Sequence, residues 1–356
     1  MKVLLLSRYG SLGASSRVRY LQYLPYFRQL GIDVEVSPLF SNAYLKVLYE
    51  NGRYRSEILA GYWRRIKSLI RITHFDLVIV EKEIFPFLPA WVESFLRFKR
   101  VPYLADYDDA LFHRYDNHPN FIIRKLLGKK IDAVMRNASV VVAGNKYLAE
   151  RARYAGAKKV EIVPTVVNTD HYKPCGSKKN DIPIVGWIGT PKTSKYLKSL
   201  LPVFEKLKNK MSVRFVAVGA KAEEFDGTVV EVWPWYEDSE IKSIQAFDIG
   251  IMPLADTPWE RGKCGYKLIQ YMACGLPVVA SPVGVNCEIV SSGKNGFLTN
   301  SNEDWEKTLE LLLNLTPAER LKMGTTGRKK ILEWYSFQVQ APRLLSIIKE
   351  AVKNNI

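Results

Sequence analysis

Residues 262–290 read GKCGYKLIQYMACGLPVVASPVGVNCEIV, and the order of residue types in this stretch decides the fold. A glycine-punctuated loop runs into a short helical pattern. An apolar run of strand character follows, then a second glycine turn and an acidic residue. Glycine lets backbone N–H groups approach a ligand closely, and a helix start presents unpaired donors with partial positive charge. Lys267 lies among these groups, and Gly265 stands at the turn. Such a loop suits a diphosphate.

Outward from this stretch, short apolar strands alternate with helical patterns. Strands are expected at residues 2–7, 33–39, 76–80, 103–105, 140–143 and 161–167. A helix is expected from Ser15 or Ser16, as cap, to about Leu30, where Gly31 stops it. Residues 168–182 are polar, with Pro174 and Gly176, and read as a linker. Alternation then restarts, with strands at 183–188, 213–218, 229–232, 249–252 and 277–280 and a helix over 193–208. After Asn302 the pattern is helical, with Thr316 as a cap and Pro317 at the first helical position. Alternation of this kind requires parallel sheets covered by helices on both faces. The fold class is therefore α/β, with two doubly wound, Rossmann-like sheets. Ligands of such sheets bind beyond the carboxyl ends of the strands.

The bulk numbers agree. At roughly 100–200 residues per domain, 356 residues make two domains. The formal net charge of +16 favours anionic partners: nucleotide phosphates, acidic lipids or nucleic acid. The excess is regional. Residues 44–71 and 121–136 interleave Lys and Arg with Tyr, Trp and Phe. That pattern resembles an interfacial membrane surface, where each basic residue contributes roughly 1 kcal/mol near anionic lipid. No nucleic-acid-binding module is recognisable, and such a role leaves the glycine loops without a purpose. Four cysteines form no C-x-x-C pair and the chain has four histidines, which argues against structural zinc and for free thiols in a reducing cytoplasm. The N-terminal apolar run meets Arg8 after six residues and fits a first buried strand better than a secretory segment. Gly10 and Gly13 lack the full dinucleotide fingerprint, which disfavours a nicotinamide cofactor. A cytoplasmic protein, peripheral on the inner face of the membrane, is the expectation.

The run YMACGLPVVAS, followed by VG and EIV, resembles the donor-site block of glycosyltransferase family 4, the retaining, nucleotide-sugar-using enzymes of GT-B fold. The resemblance implies two Rossmann-like domains facing a central cleft: an acceptor-side domain over 1–172, a nucleotide-sugar domain over 173–335, and a final helix, 336–356, returning to the first. It implies no metal and no cofactor, the nucleotide sugar being a substrate. In WIGTPKTSK, Gly189 matches the family's glycine and Lys195 its diphosphate lysine. Thr190 stands where an arginine is expected, which leaves Lys192 or Lys267 to supply the charge. Gln270 occupies the second of two family glutamates and Gly262 stands eight positions before it, so Glu260 is the nearest carboxylate. A glutamine still accepts a hydrogen bond from a ribose hydroxyl, without charge. Glu288 matches the acid after the glycine turn. Gly13 and the side chains of Ser16 and Arg17 are candidates for the donor diphosphate, and Trp233, or Trp235, for the base. The carboxylates Asp106, Asp108 and Asp109, with His113, fall to the acceptor side, where Asp108, Asp109 and His113 are the catalytic candidates that bind and orient a hydroxyl.

The implied function is retaining transfer of a sugar from a nucleoside diphosphate sugar to a hydroxyl acceptor, on a lipid-linked or cell-envelope glycan. Two alternatives stand beside it. One is a non-hydrolysing nucleotide-sugar epimerase, which needs acid and base groups over the sugar ring. The other is a transferase homologue that binds donor with little turnover, which the altered glutamates and the missing arginine motivate.

Overall fold

The computed structural model describes residues 1–49, 55–175 and 181–353. Positions 50–54 of the basic stretch and 176–180 of the polar linker therefore lie outside the described residues. The chain forms two compact units. The first is Met1–Thr165 with Gly262–Cys264 and Gln340–Ile356; the second is Val166–Arg261 with Gly265–Val339.

The first unit holds β1 (Lys2–Leu6), β2 (Asp33–Val36), β3 (Leu77–Glu81), β4 (Tyr103–Tyr107), β5 (Val140–Ala143) and β6 (Val160–Ile162). They form one parallel sheet in the order β2-β1-β3-β4-β5-β6. Leu4, Leu5, Val78 and Leu104 are fully buried, which is why these strands read as continuous apolar runs rather than alternating ones. The helix expected over 15–30 is broken into Ala14–Arg19, a 3-10 turn Leu21–Tyr23 and Leu24–Gln29. Pro25 explains the last break: it is accommodated only in a first turn. Neither serine caps the helix. Gly13 is the N-cap, without a side-chain bond, and the Ser16 hydroxyl donates to Glu81 Oε2 instead.

The second unit holds β7 (Ile184–Ile188), β8 (Arg214–Val218), β9 (Val230–Trp233), β10 (Ile249–Met252), β11 (Val278–Ala280) and β12 (Gly296–Leu298). These too are all parallel, in the order β12-β11-β10-β7-β8-β9. Strand β12 has only three residues and no apolar run long enough to announce it. The helix expected over 193–208 is two helices, Ser194–Lys198 and Leu201–Lys210, because Pro202 fits only the first turn of a new helix. The Thr316 cap is present as a capping box with Glu319.

The helix Tyr266–Ala273 crosses from β10 to β11, so it runs antiparallel to the strands and starts at their carboxyl edge. It ends in a double-bonded glycine cap: Gly275 N–H donates to Met272 O and Leu276 N–H to Tyr271 O, with Gly275 at φ +76°. The helix Pro317–Trp334 packs on this cap through Gly324. A Cβ at position 324 would lie 1.8 Å from Gly275 O, a backbone atom that a side-chain rotation cannot move. Gly324→Ala is therefore expected to lower the unfolding free energy by about 3 kcal/mol, the upper range for overpacking, measured by urea denaturation. A loss under about 1 kcal/mol would show that the two helices slide apart freely.

Candidate functional site

In the second unit the strand order reverses between β10 and β7, and the loop after β7 opens there. This is the position at which doubly wound sheets bind ligands. Gly189 is the first residue of that loop, and a Cβ on it would lie 2.3 Å from the Trp187 ring. The Lys267 ammonium lies 5.6 Å from the centre of the same ring. The Trp187 indole thus brings Gly189 and Lys267 together. Gly265, at φ +65°, is the N-cap that sets up the helix Tyr266–Ala273. It lies against Ile289, on the four-residue helix Asn286–Ile289 that carries the exposed Glu288. A helix start carries roughly half a positive charge, and Lys267 in its first turn adds a full one.

A second group forms around Lys195 and Glu260. Lys195 is exposed, its ammonium 4.9 Å from the Tyr196 ring. Glu260 is buried and accepts hydrogen bonds from the Tyr196 and Thr257 hydroxyls. A third forms around Gln270, which is buried. Its amide donates to Glu240 Oε1 at 2.9 Å and to the Tyr172 hydroxyl at 3.1 Å. Tyr172 and the Trp235 indole N–H also donate to Glu240. Trp233 packs between Phe247, at 6.3 Å, and the Arg214 guanidinium, at 5.9 Å.

In the first unit the reversal lies between β1 and β3, and charged residues crowd the strand ends there. Glu81, Lys82 and Glu83 follow one another at the end of β3, all buried. Lys82 pairs with Asp108 at 2.9 Å and Asp109 at 3.3 Å. Glu83 is held by Lys130, by Arg8 at 3.3 Å and by the Tyr115 hydroxyl at 2.7 Å. Asp106, buried at the end of β4, is paired with Arg19. Burial alone would raise the Asp108 pKa; the Lys82 ammonium, with Arg19 and the Ser15 hydroxyl, outweighs it and brings it down to about 2. His113 engages both ring nitrogens, with Asp116 at 2.9 Å and the Tyr147 hydroxyl at 2.8 Å. The Gly13 N–H donates to Gly10 O, and Arg17 sits half-buried one turn along the same helix.

Residues Gly262–Cys264 belong to this first unit. The Asn145 amide donates to Gly262 O at 2.9 Å and Lys263 O at 3.0 Å, and the Cys264 thiol donates to Asp108 O. Burial pushes that thiol up to about 12, so it is no nucleophile near neutrality.

The Asp108 pairing has a pH signature. Its folded pKa is depressed, so its stabilisation is fully present above the unfolded value near 3.8 and is lost as pH falls through about 2. That contribution is about 2 kcal/mol. Asp108→Asn should be less stable than wild type at neutral pH, and the gap should close between about pH 4 and pH 2 in urea titrations. A constant gap would place the carboxylate outside the pair.

Residues 182–315 match the family described as Glycosyl transferases group 1. That match covers the sheet of the second unit and is a resemblance of this part of the chain to the group 1 glycosyl transferases. Sucrose synthase of Denitrovibrio acetiphilus is 32% identical to this chain over 90 residues, 24% of the chain and 12% of that relative's length. Among solved structures, sucrose-phosphate synthase from Thermosynechococcus elongatus superposes with a TM-score of 0.73 at 15% identity, covering 98% of both chains. The Anabaena protein Alr3699/HepE in complex with UDP-glucose gives 0.69 at 15% identity, covering 98% of this chain and 100% of that one. At such identity the likeness speaks for fold alone, and the two six-stranded parallel sheets are the expected GT-B fold.

Several residues of these clusters are not singled out by sequence pattern. Glu81, Lys82 and Glu83 were legible in principle, since three charges directly after the apolar run LVIV are unusual at a buried strand end. Trp187 and Tyr196 flank the expected glycine and lysine. Glu240 gave no signal: its place beside Gln270 depends on contacts 30 residues apart in the chain.

Proposed function

We propose that this protein moves a sugar from a nucleoside diphosphate sugar to a hydroxyl acceptor with retention at the anomeric carbon. The second unit binds the donor and the first binds the acceptor. The observation that carries the reading is the helix start at Gly265 and Lys267, beside Gly189 at the reversal of the second sheet. The partial positive charge of the helix start, the full charge of Lys267 and a close-approach glycine favour a diphosphate, and they stabilise it as it departs. The UDP-glucose named in the complex of the structural neighbour supports a nucleotide sugar as that ligand. The acceptor oxygen bonds to the anomeric carbon on the face the diphosphate leaves. The carbon–oxygen bond to phosphate breaks, and the leaving phosphate takes the hydroxyl proton. No side-chain nucleophile enters this scheme.

Asp108, Asp109 and His113 belong on the acceptor side of this reading, where Asp109, the most exposed of the carboxylates held by Lys82, is best placed to accept a hydroxyl. The acceptor is a lipid-linked or cell-envelope glycan and the protein works in the cytoplasm at the inner face of the membrane. Among the described residues no helix is long and apolar enough to cross a bilayer. A second reading, donor binding with little turnover, is favoured by one observation: Glu260 already accepts from two hydroxyls and Gln270 carries no charge.

A thermal-shift screen against nucleoside diphosphates and their sugars tests the first step. The matching nucleotide should raise Tm by an amount that grows with its concentration. NMR of the product formed with that donor should then show the donor's anomeric configuration. A screen in which no nucleotide shifts Tm would sink the reading, and a shift without turnover would select the second one.

A further inference from the structure

Three helices of the first unit carry apolar stripes that face solvent. In the helix Arg55–Ile70 the stripe is Leu59, Trp63, Ile66 and Ile70; in Trp91–Phe98 it is Trp91, Phe95 and Phe98; in Phe121–Leu127 it includes Phe121, Ile122 and Leu126. Trp63, Ile70, Trp91, Phe98, Phe121 and Leu126 are 60% to 79% exposed. The spacing is that of one helix face, but here the apolar face is the outer one.

The stripes are connected. The Tyr62 hydroxyl donates to Pro86 O, and its ring lies 5.2 Å from Phe85. Phe87, itself exposed, lies 5.6 Å from Tyr115 and 6.4 Å from His118, which stands just before the Asn120 cap of Phe121–Leu127. The helix Trp91–Phe98 begins four residues after Phe87. The segment 84–90 thus links all three, and at its other end stand Lys82 and Glu83.

Each stripe also carries a cation on an aromatic ring. Lys67 Nζ lies 5.9 Å from the Trp63 ring, Lys99 Nζ 5.6 Å from Phe95, and the Arg124 guanidinium 5.8 Å from Phe121. Among the described residues of these helices no exposed side chain is acidic. Glu93 is buried, and Glu57 is half-buried and accepts from the Ser41 hydroxyl.

We propose that this face docks the protein on an anionic phospholipid bilayer, the aromatics entering the headgroup boundary and the stacked cations meeting lipid phosphates. Aromatic rings with polar tips or partners favour the interfacial layer, and basic side chains snorkel past them to charged headgroups. A protein partner fits less well, because the centres of protein interfaces are depleted in lysine. The proposal deepens the function above by naming the surface on which a membrane-borne acceptor is met. It rests on that reading for its purpose, while its evidence is the surface itself.

Flotation with vesicles of neutral phosphatidylcholine, with and without phosphatidylglycerol, tests it. The full chain should float with the anionic vesicles and not the neutral ones, and about 0.5 M salt should weaken recovery as screening shortens. Combined Trp63→Ser, Trp91→Ser and Phe98→Ser should lower the partition coefficient by roughly tenfold or more. Combined Lys67→Glu, Lys99→Glu and Arg124→Glu should remove the preference for anionic lipid. Wild type left behind by both vesicles, equal recovery on both, or variants that float like wild type would each overturn the proposal. The nucleotide-induced rise in Tm, measured without vesicles, should survive in both variants. Wild type that binds nucleotide but no vesicle refutes the docking face alone; wild type that floats on anionic vesicles but binds no nucleotide refutes the transferase reading alone.

Discussion

Replacing Lys267 by alanine is expected to weaken nucleoside diphosphate binding by roughly 10- to 150-fold, the equivalent of one charge-assisted hydrogen bond to phosphate. The ammonium lies over Trp187 in the first turn of Tyr266–Ala273, where the helix field has the same sign. The side chain is half-exposed, and an exposed cation–aromatic contact contributes only about 0.5–1 kcal/mol to the fold. Calorimetric titration should show the loss. Arginine at the same position should restore part of the affinity. Equal Kd values for wild type and Lys267→Ala would remove the lysine from the donor site and leave the glycine loop as an ordinary strand–helix connection.

Lys82→Met should destabilise the protein by about 3–5 kcal/mol, the range for removing one partner from a buried ion pair. Lys82 is buried and is the cation facing both Asp108 and Asp109. Without it two carboxylates remain close together with the buried Glu81. Their charged forms then lose the interaction that offsets burial, so Asp108 should titrate well above its present value of about 2. Lys82 also holds a left-handed backbone, φ +71°, which a lysine adopts at some cost. Methionine keeps that cost and the shape while removing the charge, so the measured change reports the ion pairs. Urea denaturation at neutral pH checks the magnitude. A loss below about 1 kcal/mol would mean that Asp108 and Asp109 find other partners or water.

The expected strands were recovered because a buried parallel strand is a local signal: a short apolar run with turn residues on either side. Failures cluster where a local pattern had a competitor. Ser16 looked like a helix cap, but its hydroxyl serves Glu81, 65 residues further on. The apolar periodicities over 15–30 and 193–208 were real, yet Pro25 and Pro202 each restart a helix inside them. The exposed aromatics of Trp91–Phe98 escaped notice because an apolar stripe at helical spacing ordinarily faces the core.

Taken by itself, the order of residues determined the α/β class, the parallel strands and the glycine loop, since each of these depends on neighbours in the chain. Only the tertiary structure decided which charges meet. It placed Lys82 between Asp108 and Asp109, set Glu240 beside Gln270, and assigned Gly262–Cys264 to the first unit through Asn145. The physical reason is range. Periodicity and turn chemistry act over a few residues, whereas ion pairs and buried hydrogen bonds join groups that the folded sheets bring within about 3 Å whatever their separation in sequence.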